Sequence, residues 1–229
     1  FVERAFPIVM VGILVIIALN FVNIAYRGAG LKDSISEAAS QGYKDLLSGG
    51  EALSIGDFET ATDRFKNSAT SFESANKEIW FLKQNDPISV SKTLETADAV
   101  VSLGNHLSKS LSLFAEFAGG ASVLPTLFLQ ANDKATEFDL SATTELRPSL
   151  TDKLKVHLPK LSSAIEELQE ANEQMERISE PLVPADLREE FRFAKSILLE
   201  TSKRLENYNQ DIPAVLKLLG DKLPHRIMI

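Results

Sequence analysis

The chain has 229 residues, a formal net charge of −8 and no cysteine. Glu3, Arg4 and Arg27 give the first 27 residues a net charge of +1, so the remaining residues carry −9. This acidic balance argues against nucleic-acid binding and against docking on anionic lipid through a polybasic patch. The absence of cysteine excludes disulfides, thiolate metal sites and cysteine nucleophiles. The length is enough for one good-sized core or two small ones.

The stretch from Ala5 to Tyr26 has no charged side chain. At about 1.5 Å of helical rise per residue, it spans roughly the 30 Å hydrocarbon core of a bilayer. The sequence therefore predicts a transmembrane anchor within residues 1–27. Asn20 and Asn23 lie on one face near its end, where they either bond a partner helix or lie at headgroup depth.

The charges that flank the predicted span give a weak indication of its orientation. Arg27, Lys32 and Lys44 follow the span, and only Arg4 precedes it. By the positive-inside rule, this favours a cytoplasmic location for the C-terminal side. The apolar run is too long for a cleaved signal peptide, which favours a signal anchor. The chain starts at Phe1, and residues upstream of it would change the count of charges, so the orientation stays open.

After the span, Gly28-Ala29-Gly30 predicts a flexible joint, and residues 28–50 are predicted to contain a juxtamembrane helix. Ser48-Gly49-Gly50 is predicted to end this helix, because glycine tolerates the left-handed conformation that closes many helices. The apolar and small residues that indicate the helix recur at helical spacing: Leu31, Ile35, Ala38, Ala39, Gly42 and Leu46.

The clearest periodic segment runs from Gly56 to Leu82, with one row of large side chains and one row of mostly small ones. This pattern predicts a helix that packs nearly parallel or antiparallel to a neighbour, with aromatic side chains opposite small ones. Its opening also resembles the first helix of a tetratricopeptide unit, but no second copy follows at a period of about 34 residues. The two rows are Phe58, Phe65, Phe72 and Ile79, and Ala61, Ser68, Ala75 and Leu82.

A second long helix is predicted from Val90 to Phe117, after a break at Asn85-Asp86-Pro87 and before a stop at Gly119-Gly120. The more continuously apolar stretch from Val123 to Leu129 predicts a short helix. The polar residues from Asp133 to Thr144 predict the longest connection of the chain.

Another long helix is predicted from Leu150, with leucine and methionine seven residues apart. Pro159 is expected to bend this helix or to mark its first turn, and Pro181 and Pro184 to end it. The charged flank opposite the apolar row is interpreted as a solvated helix face. The apolar row is Leu154, Leu161, Leu168 and Met175, with Leu158, Ile165 and Ile178 beside it, and the flank is Glu166, Glu167, Glu170, Glu173 and Glu176.

The next helix is predicted to begin with Pro184 in its first turn. A separate short helix is predicted from Pro213 to Leu219, with a stop at Gly220. The face predicted to be buried carries Leu187, Phe191, Ala194, Leu198, Leu205 and Tyr208.

The predicted fold class is therefore all-α: a transmembrane helix followed by an elongated antiparallel helical bundle over residues 51–222. Residues 223–229 end in Ile227-Met228-Ile229, a β-prone apolar run without a partner strand. This pattern predicts the first strand of a further domain that begins near residue 225.

No motif for catalysis, cofactor binding or metal binding is present in the sequence. None of the three histidines, His106, His157 and His225, has a ligand companion three or four residues away, so no zinc motif exists. Gly49-Gly50 and Gly119-Gly120 lack the Lys-Ser/Thr of a phosphate loop. A Gly-x-Ser-x-Gly motif is also absent. We therefore expect no site residues, no cofactor and no enzymatic activity.

The end of the chain carries a resemblance to a known family. Leu218-Leu219-Gly220 closes a leucine-rich helix, and Pro224-His225-Arg226-Ile227 then enters the predicted strand. With the single span and the heptad helix, these residues resemble a family of bacterial envelope proteins known as domain of unknown function number four thousand and twelve. The resemblance implies a cytoplasmic N-terminus, an extracytoplasmic helical region and no established molecular activity.

The leading functional hypothesis is a single-pass membrane-anchored envelope protein whose helical bundle is a spacer or interaction module for a downstream domain. Its expected partners are the bilayer, through residues 5–26, and other envelope proteins or copies of itself; no nucleic acid is expected. One alternative is an extracytoplasmic sensor that binds a ligand between helices. Another is a pilin-like subunit, although the acidic residue is Glu3 and Pro7 follows it, whereas pilins carry glutamate at the fifth position.

Overall fold

A computed structural model of the protein describes residues 32–85, 92–121 and 150–218. No strand occurs in these ranges, so the prediction of an all-α fold is confirmed for them. Two short 3₁₀ turns, Glu180–Leu182 and Ala185–Leu187, lie between the last two helices. The helices are α1 (Lys32–Ser54), α2 (Phe58–Asn85), α3 (Lys92–Ala121), α4 (Leu150–Arg177) and α5 (Arg188–Leu218).

Several predictions from the sequence fall on other parts of the chain. The predicted span at residues 5–26, the short helix at 123–129, the connection at 133–144 and the strand at 227–229 all lie outside the described residues. Among the helices that the structure describes, none combines the length and the apolar character needed to cross a bilayer.

Neighbouring helices run antiparallel, as their contacts show. Residue numbers rise along one helix while they fall along its partner: Lys83 meets Asp98 and Lys66 meets Glu116 between α2 and α3. Helices α1, α3 and α5 therefore point one way, and α2 and α4 point the other way. The remaining contacts that establish these directions are Ser68 with Gly42, Ser110 with Ala164, His106 with Glu167, Lys195 with Glu176 and Asn172 with Ser202.

Helix α3 lies at the centre of the bundle, because it contributes side chains to all three clusters of the core. Two clusters join α3 to α1 and α2, one at each end of these helices. The third joins α3 to α4 and α5. The buried members of α3 are Ala97 and Val101 in the first cluster, Ala115 in the second, and Ala99, Val100, Leu103 and Leu107 in the third.

The heptad rows predicted for α2 are confirmed. Phe65, Phe72 and Ile79 of the large row are buried, and so are Ala61, Ser68 and Ala75 of the second row. Only the ends of the rows, Phe58 and Leu82, remain partly exposed. The seven-residue spacing thus identified the buried face of this helix, since both rows face α1 and α3.

The predicted end of the juxtamembrane helix at Ser48-Gly49-Gly50 is wrong, because α1 continues to Ser54. The helix ends instead at Gly56, which has a φ of 81°. The Gly56 N–H donates to the Leu53 carbonyl at 3.1 Å, and the Asp57 N–H donates to the Ala52 carbonyl at 3.0 Å. This pair of hydrogen bonds is the Schellman motif, which needs a residue with positive φ at the position of Gly56.

Asp57 both completes the end of α1 and begins α2. Its Oδ1 accepts a hydrogen bond from the Thr60 backbone N–H at 3.1 Å, so it is the N-cap residue of α2. This contact with Thr60 lowers the pKa of the Asp57 carboxyl below its usual value. The turn between α1 and α2 is therefore specified by two adjacent residues, Gly56 and Asp57.

Helix α4 agrees with the predicted apolar row and acidic flank. The helix begins at Leu150, so the alternative that Pro159 marks its first turn is wrong. The described residues of the apolar row are buried except Leu158, which is half-buried, and the flank is exposed except Glu167, which is half-buried. Pro181 and Pro184 end the helix as predicted, since α4 stops at Arg177 and the 3₁₀ turns follow.

The separate helix predicted from Pro213 to Leu219 is wrong, because α5 runs without interruption from Arg188 through Pro213 to Leu218. Proline holds φ near the helical value and removes only one backbone donor, so it does not always end a helix. The prediction for the buried face is confirmed at Phe191, Ala194 and Leu198.

Candidate functional site

Phenylalanine rings of α2 pack directly against glycines of the neighbouring helices. The Phe72 ring lies between Gly42 of α1 and Gly104 of α3. A Cβ at Gly104 would lie 2.7 Å from Phe72 Cζ, and a Cβ at Gly42 would lie 3.0 Å from Phe72 Cδ2. The ring thus fills the space that two side chains would occupy, and this contact sets the spacing of α1, α2 and α3.

A second ring repeats the arrangement near the other end of α1. A Cβ at Gly49 would lie 2.6 Å from Cε1 of Phe65, which is fully buried. This contact explains why Gly49 does not end α1: its missing side chain makes room for a ring rather than for a left-handed backbone. The same residue type signals a helix end or a close helix contact, and only the partner decides between them.

Buried hydroxyl and amide groups of α3 bond to the helices around it, and with Ser68 of α2 we call them the polar seam: Asn105, Ser108, Ser110 and Ser68. The Asn105 side chain donates to the Ala69 carbonyl of α2 at 2.8 Å. Ser110 Oγ donates to the Ala164 carbonyl of α4 at 2.7 Å. Buried polar groups must be hydrogen-bonded, so these contacts fix the register of α3 against both neighbours.

Ser68 and Ser108 link three helices at one point of the polar seam. Ser68 Oγ lies 2.6 Å from the Gly42 carbonyl of α1 and 2.7 Å from Ser108 Oγ. Ser108 Oγ also lies 2.7 Å from the Gly104 carbonyl of its own helix. Each hydroxyl carries one proton, so only two of these three contacts are hydrogen bonds at any time. If Ser108 donates to Ser68 and Ser68 donates to Gly42, one chain of bonds connects α3, α2 and α1.

Two carboxylates of α3 are each held by one cation from α2 and one from α4, and we call these groups the carboxylate clamps. Asp98 lies 2.7 Å from Lys83 and 3.3 Å from Arg177. Glu116 lies 2.7 Å from Lys66 and also pairs with Lys160. The side chains of Asp98 and Glu116 are only 20% and 21% exposed, so their ion pairs are screened less than those on the open surface.

The positions of the two clamps follow from helix geometry. Asp98 and Glu116 are 18 residues apart, which is about five turns, so both lie on one face of α3 about 27 Å apart along its axis. This face lies between α2 and α4, because the cations come from these two helices. The clamps therefore hold the same three helices together near both ends of α3.

The clamp at Glu116 has a consequence for its protonation. Hydrogen bonds from Lys160 and Lys66 hold the pKa of the Glu116 carboxyl below its ordinary value of 4.5. Because the folded pKa is depressed, the clamp stabilises the fold above about pH 4.5, and this contribution is lost as the pH falls through the lower, folded pKa.

The structure describes two of the three histidines, and neither lies in a group of metal ligands. His106 Nδ1 lies 2.8 Å from Glu167 Oε2, which links α3 to α4. The His157 ring packs against Gly120, and its buried Nδ1 has no hydrogen-bond partner. His225 lies outside the described residues. Within those residues, no three His, Cys, Asp or Glu side chains lie together in a way that could hold a metal ion.

The ring–glycine contacts, the polar seam and the carboxylate clamps all have the same effect, which is to hold the helices in fixed register. The described histidine nearest the polar seam, His106, contacts a carboxylate rather than a serine hydroxyl. Neither the clamps nor the role of Ser108 was predicted from the sequence. The spacing of Asp98 and Glu116 by about five turns was the available signal, but it does not identify the cations, which come from other helices.

Comparison with known proteins adds no relative. No family model, no curated protein and no solved structure matches the chain. The resemblance to the envelope family stays a prediction, and most of the residues that carry it, 219–227, lie outside the described residues.

Proposed function

We propose that the protein is a single-pass, membrane-anchored envelope protein whose helical bundle is a rigid spacer. Residues 5–26 form the anchor, and the bundle lies outside the cytoplasm and separates the bilayer from the C-terminal segment 223–229 and the domain expected to begin there. Its surface is available to other envelope proteins or to copies of itself.

The directions of the helices are the observation that carries this proposal. Helix α1 leads away from the residues of the predicted span, and α5 runs in the same direction as α1. The chain therefore enters the bundle at one end and points toward the opposite end when it leaves. From Arg188 to Lys217, α5 covers about 43 Å at the usual helical rise. A chain that leaves on the far side is what a spacer requires, whereas a folded-back bundle would return to the bilayer.

The contacts around α3 support the rigidity of the spacer. The glycine contacts of Phe72, the polar seam and the carboxylate clamps all join α3 to its neighbours. A bundle that binds a ligand between its helices needs a space there, and at Gly42 and Gly104 the Phe72 ring fills it. These features favour a structural role over the sensor alternative.

Liposome flotation tests the anchor directly. We expect the full chain to float with phosphatidylcholine vesicles after a high-salt wash and residues 28–229 to stay at the bottom of the gradient, because only the apolar run can hold the chain in hydrocarbon. Flotation of both forms would contradict the role of residues 5–26, and so would flotation of neither.

Energy transfer to the bilayer tests the spacer. The chain has no cysteine, so a single introduced cysteine carries the only dye. Gln84→Cys places it at the end of α2, beside the start of α1, and Lys217→Cys places it near the end of α5. With an acceptor dye in the lipid headgroups, we expect strong transfer from residue 84 and weak transfer from residue 217. Equal transfer from both positions would contradict the spacer, even if the chain is anchored.

A membrane-impermeant maleimide tests the orientation. Ile55→Cys places a thiol on an exposed residue in the turn between α1 and α2. In cells with a permeabilised outer membrane, we expect this thiol to be labelled while the inner membrane is intact. Labelling only after the inner membrane is broken would place the bundle in the cytoplasm, as the flanking charges of the span favour.

A further inference from the structure

One end of the bundle exposes an aromatic surface on α2. Trp80 is 62% exposed and the adjacent Phe81 is 53% exposed, whereas Phe65 and Phe72 of the same helix are buried. Both residues are in the last two turns of the helix. Tryptophan with an exposed ring is typical of surfaces that meet an interface between apolar and aqueous surroundings.

The antiparallel packing places this surface at the end of the bundle where α1 begins. Ile79, the residue before Trp80, is in the same cluster as Ile35, in the first turn of α1. Ile35 is only nine positions after Tyr26, the last residue of the predicted span. Nine residues cover at most about 30 Å even when fully extended, so a chain held at Tyr26 keeps this end of the bundle near the headgroup layer, which adds about 5–8 Å on each side of the hydrocarbon core.

The side chains around Trp80 suit a lipid surface. Its helical neighbours three and four residues away are Asn76, Lys77, Lys83 and Gln84, and none of them is acidic. Both lysines are paired with carboxylates, Lys83 with Asp98 and Lys77 with Glu73, so neither brings an unbalanced charge to the surface beside Trp80. Tryptophan itself is enriched at the level of the headgroups, where its ring is in apolar surroundings and its N–H reaches a polar acceptor.

We propose that Trp80 inserts into the headgroup region of the bilayer that holds the anchor. The proposal rests on the membrane anchor proposed above. The predicted joint at residues 28–30 would let the bundle tilt toward α2, which packs beside α1, and so bring Trp80 to the lipid. Tilt of the spacer would then be set by this second contact, not by the span alone.

The chain offers a direct probe of this contact, because Trp80 is its only tryptophan. The full chain is reconstituted in phosphatidylcholine vesicles whose acyl chains are either unmodified or brominated near the headgroup end. We expect Trp80 emission to be blue-shifted in both vesicles and to lose intensity in the brominated ones, since bromine quenches only a ring that touches the lipid. Aqueous iodide should quench Trp80 less in vesicles than in the released fragment 28–229.

A matched control moves the probe to the other end of the bundle. Ile55, in the turn between α1 and α2, is 81% exposed. In the double variant Trp80→Phe, Ile55→Trp, the tryptophan is about 33 Å away along α2 from its original position. We expect no loss of emission from bromine at residue 55 and full access for iodide. Circular dichroism of the double variant checks that its helix content is unchanged.

Each outcome of these measurements decides between the two proposals. Flotation with bromine quenching of Trp80 alone supports the lipid contact. Flotation without bromine quenching overturns the lipid contact of Trp80 and leaves the anchor intact. A blue shift of Trp80 emission without quenching also overturns the contact, because it would mean that protein covers the ring. Equal bromine quenching of tryptophan at residue 55 and at residue 80 overturns the proposal that the end of the bundle near Trp80 contacts lipid specifically. Failure of the full chain to float overturns the anchor and this contact together.

Discussion

The bundle has two halves that share α3, one formed by α1, α2 and α3 and the other by α3, α4 and α5, and their cores are packed in different ways. Between α1, α2 and α3, the phenylalanine rings of the core lie directly on glycines. Between α3, α4 and α5, the cluster consists of Leu, Ile, Val, Ala and Met side chains with Phe191 as its one aromatic ring. Rings against glycine leave no room for adjustment, whereas aliphatic and methionine side chains can repack.

The halves also differ in how much of each helix is held. Buried clusters join α1, α2 and α3 near both ends of these helices. Among the described side chains of α5, which end at Asn207, those that join a buried cluster belong to one cluster, and Leu205 is the last of them that packs against it. The first half should therefore unfold only with the whole bundle, while α5 should be able to open by itself.

The largest expected effects come from one buried phenylalanine in each half. Phe72→Ala should lower the free energy of unfolding by about 3–5 kcal/mol, because it empties the space between Gly42 and Gly104. Phe191→Ala should cost a similar amount in the α5 cluster but act locally. Denaturant unfolding measures the first, and hydrogen exchange should show α5 losing protection in the second while α1 and α2 keep theirs.

The exposed Phe193 provides the control for both variants. Phe193→Ala should change the free energy of unfolding by less than about 1 kcal/mol, because the ring is about half exposed. A Phe72→Ala variant no less stable than Phe193→Ala would contradict the central place of the Phe72 ring. Loss of protection throughout the bundle in Phe191→Ala would contradict the independence of α5.

The next effect concerns the lack of space at Gly104. Gly104→Ala should destabilise the protein by about 1–2 kcal/mol, because overpacking against Phe72 outweighs the gain of about 1 kcal/mol in helix propensity. The ring cannot move away, since Gly42 lies on its other side. Thermal or denaturant unfolding measures the change.

A double-mutant cycle isolates the contact at Gly104. In a Phe72→Leu background the clash is relieved, so Gly104→Ala should there cost nothing or stabilise the protein. If Gly104→Ala costs the same with Phe72 and with Leu at that position, the ring is not what requires glycine.

A smaller effect separates the two serines of the polar seam. Ser68→Ala removes both interhelical contacts and should cost about 1 kcal/mol, whereas Ser108→Ala leaves the bond from Ser68 to the Gly42 carbonyl and should cost about half as much. Equal losses, or a larger loss for Ser108→Ala, would contradict the chain of bonds from α3 through α2 to α1. Urea unfolding of the two variants side by side makes the comparison.

The smallest expected effect is at the Glu116 clamp. Glu116→Gln should lower the free energy of unfolding by less than about 1 kcal/mol at pH 7, since both lysines are partly exposed. The difference from the parent protein should shrink as the pH falls below about 4.5, because protonation abolishes the same ion pairs in the parent. A difference that grows toward acid pH would contradict the depressed pKa of Glu116.

The sequence predicted much of the helical pattern, because buried faces repeat at helical spacing. The rows of α2 and α4 were found in this way, since large side chains recur there every seven residues among charged ones. Gly49-Gly50 and Pro213 were wrongly predicted to interrupt helices, because a single glycine pair or proline does not repeat along the chain and does not show by itself whether a helix continues. Glycine serves helix ends and close contacts equally, and the Phe65 ring that decides between them is on another helix.

The candidate site was less predictable than the fold, because its contacts join different helices. Asp98 and Glu116 look like ordinary surface carboxylates until α2 and α4 bring their lysines and Arg177 to them. Ser108 looks like any small polar residue until Ser68 lies beside it. Trp80 had a signal in the sequence, as the only tryptophan of the chain, but its exposure depends on which face of α2 is buried.

A distance measurement between the two ends of the bundle tests the spacer most directly. The variant Glu37→Cys, Lys217→Cys has two thiols in a chain without other cysteines, near the start of α1 and near the end of α5. With spin labels at both positions in the vesicle-bound protein, we expect one narrow distance distribution above about 35 Å, from the helical rise along α5. A broad distribution that reaches short distances would contradict a rigid spacer whose ends lie on opposite sides.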